Sequence, residues 1–182
     1  MKTAQLIILA ILATASLTMA GMTSWNFDDN TAQGWYSATA GVLSIDGAPG
    51  NYWLTVTGDA WTNTTNQPMV DLSYVVGAGD YLKFDYKASD YRALYVQVVT
   101  TTDNYYAIPQ TTEWIRNNQI LFSSFGVNPG DTITKIGFYA YAPAYWGGRA
   151  ISIDNIAIIP VPEPASLVLL ALGGLALVRR RR

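Results

Sequence analysis

Short runs with a period of two dominate the middle of this chain, and they predict strands. In 81–88, Leu82, Phe84, Tyr86 and Ala88 fall on one face and Tyr81, Lys83, Asp85 and Lys87 on the other. The charged set is expected to face solvent. Leu94, Val96 and Val98 likewise oppose Tyr95, Gln97 and Val99, and Ile136, Phe138 and Ala140 oppose Lys135, Gly137, Tyr139 and Tyr141. The last run changes phase: Ile151 and Ile153 are odd, Ile156 and Ile158 even. A β-bulge at Asp154-Asn155 accounts for the switch.

The same reasoning places strands at Thr23–Phe27, Val42–Asp46, Tyr52–Thr57, Leu72–Val76 and Asp80–Lys87. Further strands are expected at Leu94–Thr100, Asn104–Ile108, Gln119–Phe122, Lys135–Tyr141 and Ala150–Ile159. Gly- and Pro-rich breakers separate several of them, as in Gly47-Ala48-Pro49-Gly50 and Asn128-Pro129-Gly130-Asp131. About ten short strands without a long helical period predict an all-β fold, a jelly-roll β-sandwich.

Both ends break this pattern. Lys2, an apolar stretch from Leu6 to Ala13, and small residues up to Ala20 have the order of a secretory signal peptide, which predicts an N-terminal signal helix over 1–20. At the other end Ala165 to Val178 carries no charge and Arg179-Arg180-Arg181-Arg182 follows. A helix of that length spans about 21 Å, short for a hydrocarbon core of about 30 Å. Snorkelling arginines extend its reach, and a basic cluster belongs on the cytoplasmic side. The reading is a C-terminal transmembrane-type helix; a buried C-terminal helix is the alternative, and four terminal arginines fit it poorly.

With Pro162-Glu163-Pro164 ahead of the apolar run and the arginine cluster behind it, residues 161–182 resemble the bacterial PEP-CTERM sorting signal. The resemblance implies processing near Pro-Glu-Pro by an exosortase-type membrane enzyme and export in a Gram-negative bacterium that makes extracellular polysaccharide. The protein is expected at the cell surface or outside the cell, held transiently in the membrane by the tail helix. The working domain is then 21–160, long enough for a sizeable core.

Composition narrows its chemistry. Cys and His are both absent. That excludes disulfides, Ser-His-Asp and Cys-His catalysis, and makes a zinc site a poor fit. Between residues 21 and 160 stand 12 acidic and 6 basic residues, so 6 minus 12 gives a net charge of −6. Such a domain does not suit a phosphate backbone, and nucleic acid is not an expected partner. All 6 Trp, 12 Tyr and 5 Phe lie in the same region.

Trp25-Asn26-Phe27-Asp28-Asp29 with Gln33-Gly34-Trp35, the strand Tyr81–Lys87, Lys135–Ala140 and the closing Ile151–Ile156 together resemble the galactose-binding-like jelly roll of many carbohydrate-binding modules. That resemblance implies a structural calcium ion joining the first and last strands, with Asp28 or Asp29 and Asp154 as ligands. Calcium takes several carboxylate and carbonyl oxygens, and a bulge at Asp154 would free carbonyls. The alternative is a solvated Asp28-Asp29-Asn30 turn and an Asp154 that only caps the kink.

Tyr95, Tyr139 and Tyr141 share the outward side with Gln97, and Tyr105, Tyr106, Trp114, Tyr145 and Trp146 are expected nearby. Flat aromatics with polar tips suit sugar rings, so Tyr95, Gln97, Tyr139, Tyr141 and Trp146 are the candidate carbohydrate-binding residues, with Lys135 and Arg149 as further donors. Aromatics also favour strands, and some of these rings must fill the core; Trp25, Trp35, Trp53 and Trp61 are expected in the core or at its rim. The leading expectation is an exported, non-enzymatic surface or matrix protein that binds polysaccharide. A structural or protein-binding module is the second possibility. A glycosidase or polysaccharide lyase is the third, but no carboxylate pair announces itself, and Glu113 is the sole Glu between 21 and 160.

Overall fold

The computed structural model describes residues 23–39, 41–57, 64–88, 93–142 and 150–162, with the side chains of 64–66 and 142 excepted. Within them lie twelve strands: β1 (Thr23–Trp25), β2 (Tyr36–Ser37), β3 (Val42–Ala48), β4 (Asn51–Thr57), β5 (Thr64–Asn66), β6 (Pro68–Val75), β7 (Tyr81–Ala88), β8 (Ala93–Val99), β9 (Asp103–Ala107), β10 (Thr111–Leu121), β11 (Thr132–Ala142) and β12 (Ala150–Ile159). They form two six-stranded antiparallel sheets, a β-sandwich. The first runs β10-β7-β12-β4-β3 with β1 also on β12; the second runs β2-β6-β11-β8-β9 with β5 also on β11.

The period-two pattern directs the inner faces together. Leu82, Phe84 and Tyr86 from β7 meet Val96 and Val98 from β8 and Ile136 and Phe138 from β11, all fully buried. Phe84 and Phe138 join the sheets edge to face at 5.1 Å, and Trp35 packs on Phe138 and Trp25. Trp25 and Trp35 are core residues, as expected.

The phase switch in β12 is a bulge. Its register against β7 slips between Asp154 and Ala157, and Asn155 takes a left-handed φ of 48°. The bulge lies where β12 changes neighbours: Ala150–Ile153 pair with β4, and Ile156–Ile158 pair with β1. The extra residue re-phases the strand so that both halves keep their apolar side inward.

The strand count corrects the expectation of about ten. β2 and β5 were not predicted, being only two and three residues long. β10 starts eight residues before the predicted Gln119. Asp85 was expected to face solvent, yet it is only 5% exposed. It stands on the outer side of β7, but Arg116 and Asn117 of β10 and Asn155 of the bulge close over it. Residues 1–22 and 163–182, where the two terminal helices are expected, lie outside the described residues, as do Trp61, Tyr145, Trp146 and Arg149. Among the described residues no helix is long and apolar enough to cross a membrane.

Candidate functional site: a tyrosine face on the second sheet

The outer face of the second sheet follows from register. Tyr139 stands opposite Tyr95, Gly137 opposite Gln97, and Tyr141 opposite Ala93. On the next strand Tyr105 stands opposite Gln97. Cross-strand partners share a face, so Tyr95, Tyr105, Tyr139 and Tyr141 all project outward. The first three form a triangle, with ring centroids 6.2 Å (Tyr95–Tyr105), 6.3 Å (Tyr95–Tyr139) and 5.7 Å (Tyr105–Tyr139) apart. Tyr105 is 46% exposed. Burial, then Asp103 and Tyr139, raise the Tyr105 phenol above its ordinary pKa, so it keeps its proton as a donor at neutral pH.

Gln97 lies beneath this cluster at 2% exposure. Its Oε1 accepts from Gln67 at 2.6 Å, and its Nε2 donates to Asp103 at 3.2 Å and to the Tyr105 hydroxyl at 3.1 Å. In this arrangement Gln97 sets the Tyr105 ring in place from below. A second polar group borders the face. Lys135 Nζ donates to the Tyr36 hydroxyl at 3.1 Å and pairs with Asp71 at 3.3 Å, and Tyr36 in turn donates to Asp71 at 3.2 Å. The hydrogen bond to Tyr36, then Asp71, raises the pKa of Lys135.

Between the two groups lies Gly137. A Cβ there would approach Pro68 O to 2.7 Å and Met69 Cγ to 2.8 Å. Only a glycine leaves room there for the buried Met69 side chain and the Pro68 carbonyl. Two aromatics expected nearby go elsewhere. Tyr106 stands opposite inward-facing Val96 and packs on Phe125. Trp114 lies on the other sheet, against Trp53. Trp146 lies outside the described residues.

The candidate metal residues divide. Asp28 is near enough to Asp154 for its charge to act on that carboxyl. Asp29 turns to Thr31, accepting from its hydroxyl at 2.8 Å and its N–H at 3.0 Å. Burial, with repulsion from Asp85 and Asp28, pushes Asp154 up to about 6 against the hydrogen bond from Asn155. Arg116 lies 3.0 Å from Asp85 and 3.9 Å from Asp154. Burial opposes the ionisation of Asp85, but donors from Asn117, Asn155 and Arg116 outweigh it and hold Asp85 below the usual carboxylate range. No three carboxylates gather as a metal cluster among the described residues. Asp28, Asp154 and the carbonyls at the bulge are oxygen groups of the type calcium takes.

At the end of the sandwich, Asp80 accepts from the Tyr74 hydroxyl at 2.6 Å, Gly77 N at 2.7 Å and Val161 N at 2.8 Å. The chain therefore leaves the domain clasped to the β6–β7 turn, and Pro162 is exposed one residue later.

Residues 160–182 match the PEP-CTERM protein-sorting motif. This segment is an export and surface-sorting signal. It implies processing by an exosortase. Comparison with curated proteins finds no match. Among solved structures, a family 11 carbohydrate-binding module from Clostridium thermocellum, in complex with a β-1,3-1,4-mixed-linked tetrasaccharide, is 18% identical with a TM-score of 0.59, over 80% of this chain and 99% of that one. TmCBM61, in complex with β-1,4-galactotriose, is 16% identical with a TM-score of 0.51, over 75% and 94%. A third structure, described for the promiscuous specificity of carbohydrate-binding modules of the β-sandwich superfamily, is 21% identical with a TM-score of 0.54; the match covers 74% of this chain and spans 60% of that one. At these identities the likeness shows the fold. The fold neighbours are galactose-binding-like β-sandwich modules.

Proposed function

We propose that this is a non-enzymatic, surface-sorted protein whose β-sandwich binds polysaccharide on the outer face of the second sheet. The observation that supports this reading best is the Tyr95–Tyr105–Tyr139 triangle held from below by Gln97. Ring planes set at different angles meet successive sugar units along a twisted chain, and the phenol tips reach ring hydroxyls. Tyr141 continues the same row along β11, and Lys135 and Tyr36 border it. The neighbours' ligands, a mixed-linked tetrasaccharide and a galactotriose, favour a neutral glycan chain as the ligand class.

Catalysis has little support in this geometry. Asp85 and Asp154 are both buried and share Arg116, and Glu113 is exposed on β10. Calcium belongs to the proposal as a structural ion held by Asp28 and Asp154 with the bulge carbonyls. Before processing, the tail is read as a membrane anchor; after it, the domain is released or passed to another anchor.

A glycan array probed with the purified protein, with and without calcium, tests the reading. Binding to neutral polysaccharide that is lost in a folded Tyr139→Ala plus Tyr141→Ala variant supports it. No glycan bound in either condition would favour a structural or protein-binding module instead.

A further inference from the structure

The outer face of the first sheet carries a concavity. It is a groove of about 400 Å³ across β3, β4, β12, β7 and the start of β10. Trp53 forms one wall, and Asp46, its cross-strand neighbour, stands at the rim. On the floor Thr55 Oγ1 and Ser152 Oγ lie 3.1 Å apart and are buried, each hydroxyl keeping hydrogen-bonding capacity beyond that one contact. Thr111 closes the far side.

Lys87 is the unusual member. Its ammonium lies 5.0 Å from the Trp53 ring centre and 5.1 Å from that of Trp114, between two indoles that pack edge to face at 5.7 Å. Arg116 stacks on Trp114 at 4.5 Å, so the pair is fixed from both sides. Among the described residues the Lys87 ammonium has no ion pair and no side-chain hydrogen bond, whereas Lys135 and Arg116 each have a carboxylate. A cation held by two aromatic faces, facing a hydroxyl-lined groove and lacking an anion, is complementary to a ligand that brings one.

We propose that this groove binds an acidic sugar unit, a hexuronate within a polysaccharide. Trp53 packs against the pyranose ring, Lys87 takes the carboxylate, the Thr55–Ser152 hydroxyls meet ring oxygens, and Asp46 accepts from a ring diol. The groove lies on the opposite sheet from the tyrosine face and is independent of it. If both sites are occupied, one domain cross-links two chains, neutral on one side and acidic on the other.

The test is titration of the protein with trigalacturonate and with a glucuronate-containing trisaccharide, each against its methyl ester, followed by the indole N–H signals in NMR spectra. The expected result is binding of at least one acid, at least tenfold weaker for its ester, with the Trp53 and Trp114 indole signals shifting. Lys87→Gln should weaken the acid at least tenfold and leave ester and neutral-glycan binding unchanged. Tyr105→Ala plus Tyr139→Ala should leave acid binding intact. The proposal is overturned if neither acid binds, if ester and acid bind alike, or if the tyrosine variant alone abolishes acid binding. The wild-type indole shifts decide the matter even where a variant misfolds.

Discussion

Single residues in this protein carry two opposed electrostatic roles a few ångströms apart. Asp85 gains stability from being charged, because three donors converge on it. Asp154 loses stability by being charged, because it is buried beside like charges. A raised carboxyl pKa makes the folded state bind a proton the unfolded chain lacks, so stability rises as pH falls from above 6 toward the unfolded value near 3.8. The lowered pKa of Asp85 acts in the other direction: its contribution is complete above 3.8 and is lost as pH falls through its folded value. In chelator-containing buffer, thermal unfolding should therefore reach a maximum in mildly acidic solution. Asp154→Asn should raise the midpoint at pH 7.5 by roughly 3 °C, as expected for about 1 kcal/mol in a domain of this size, and flatten the rise between pH 7 and 4. Gln97 gives a second prediction. Gln97→Leu leaves the Gln67 amide and the Tyr105 hydroxyl without their partner, and urea unfolding should show a loss of about 1–2 kcal/mol. The period of two marked Gln97 as outward, which it is, but gave no sign that Gln67, Asp103 and Tyr105 would bury it.

The elements show where a sequence pattern speaks and where it falls silent. β12 was legible to its ends, bulge included, because its apolar residues change parity in mid-strand. β7, β8 and β11 were legible because both of their faces have distinct chemistry. The first eight residues of β10, Thr111–Asn118, alternate poorly because the pairing to β7 slips twice, between Thr111 and Ile115 and again before Asn118. Those slips turn Arg116 and Asn117 over Asp85 and bring Trp114 to Trp53, neither of which a local pattern encodes. β2 and β5 are too short to establish any period. The exit of the chain depends on one element contact, the Asp80 clasp on Val161. Asp80→Asn removes an acceptor from a site where three donors meet. Native-state hydrogen exchange at the Val161 amide should then accelerate at least tenfold, and by more than the exchange of core amides in β11, which reports global stability. An unaltered Val161 rate would mean the clasp does not hold the exit.

At the scale of the molecule, a sorting signal at 160–182 follows a β-sandwich for which we propose polysaccharide binding. The sorting tail was readable from the chain itself, because Pro162-Glu163-Pro164, an uncharged run and a terminal arginine cluster coincide there. The sandwich was readable as a class, since short runs of period two stand between turn residues with no long helical period. What the sequence left hidden is which sheet each ring faces: Tyr105 joins Tyr95 and Tyr139 on one sheet, while Trp114 joins Trp53 on the other, and only the strand order sorts them. We propose that the tyrosine face holds a neutral polysaccharide chain. Calorimetric titration of the best array glycan into wild type and into Tyr105→Ala plus Tyr139→Ala, both with intact thermal unfolding, tests it most directly. The expected result is at least a tenfold loss of affinity, on the order of 1.4 kcal/mol or more. An unchanged affinity in the folded variant would contradict it.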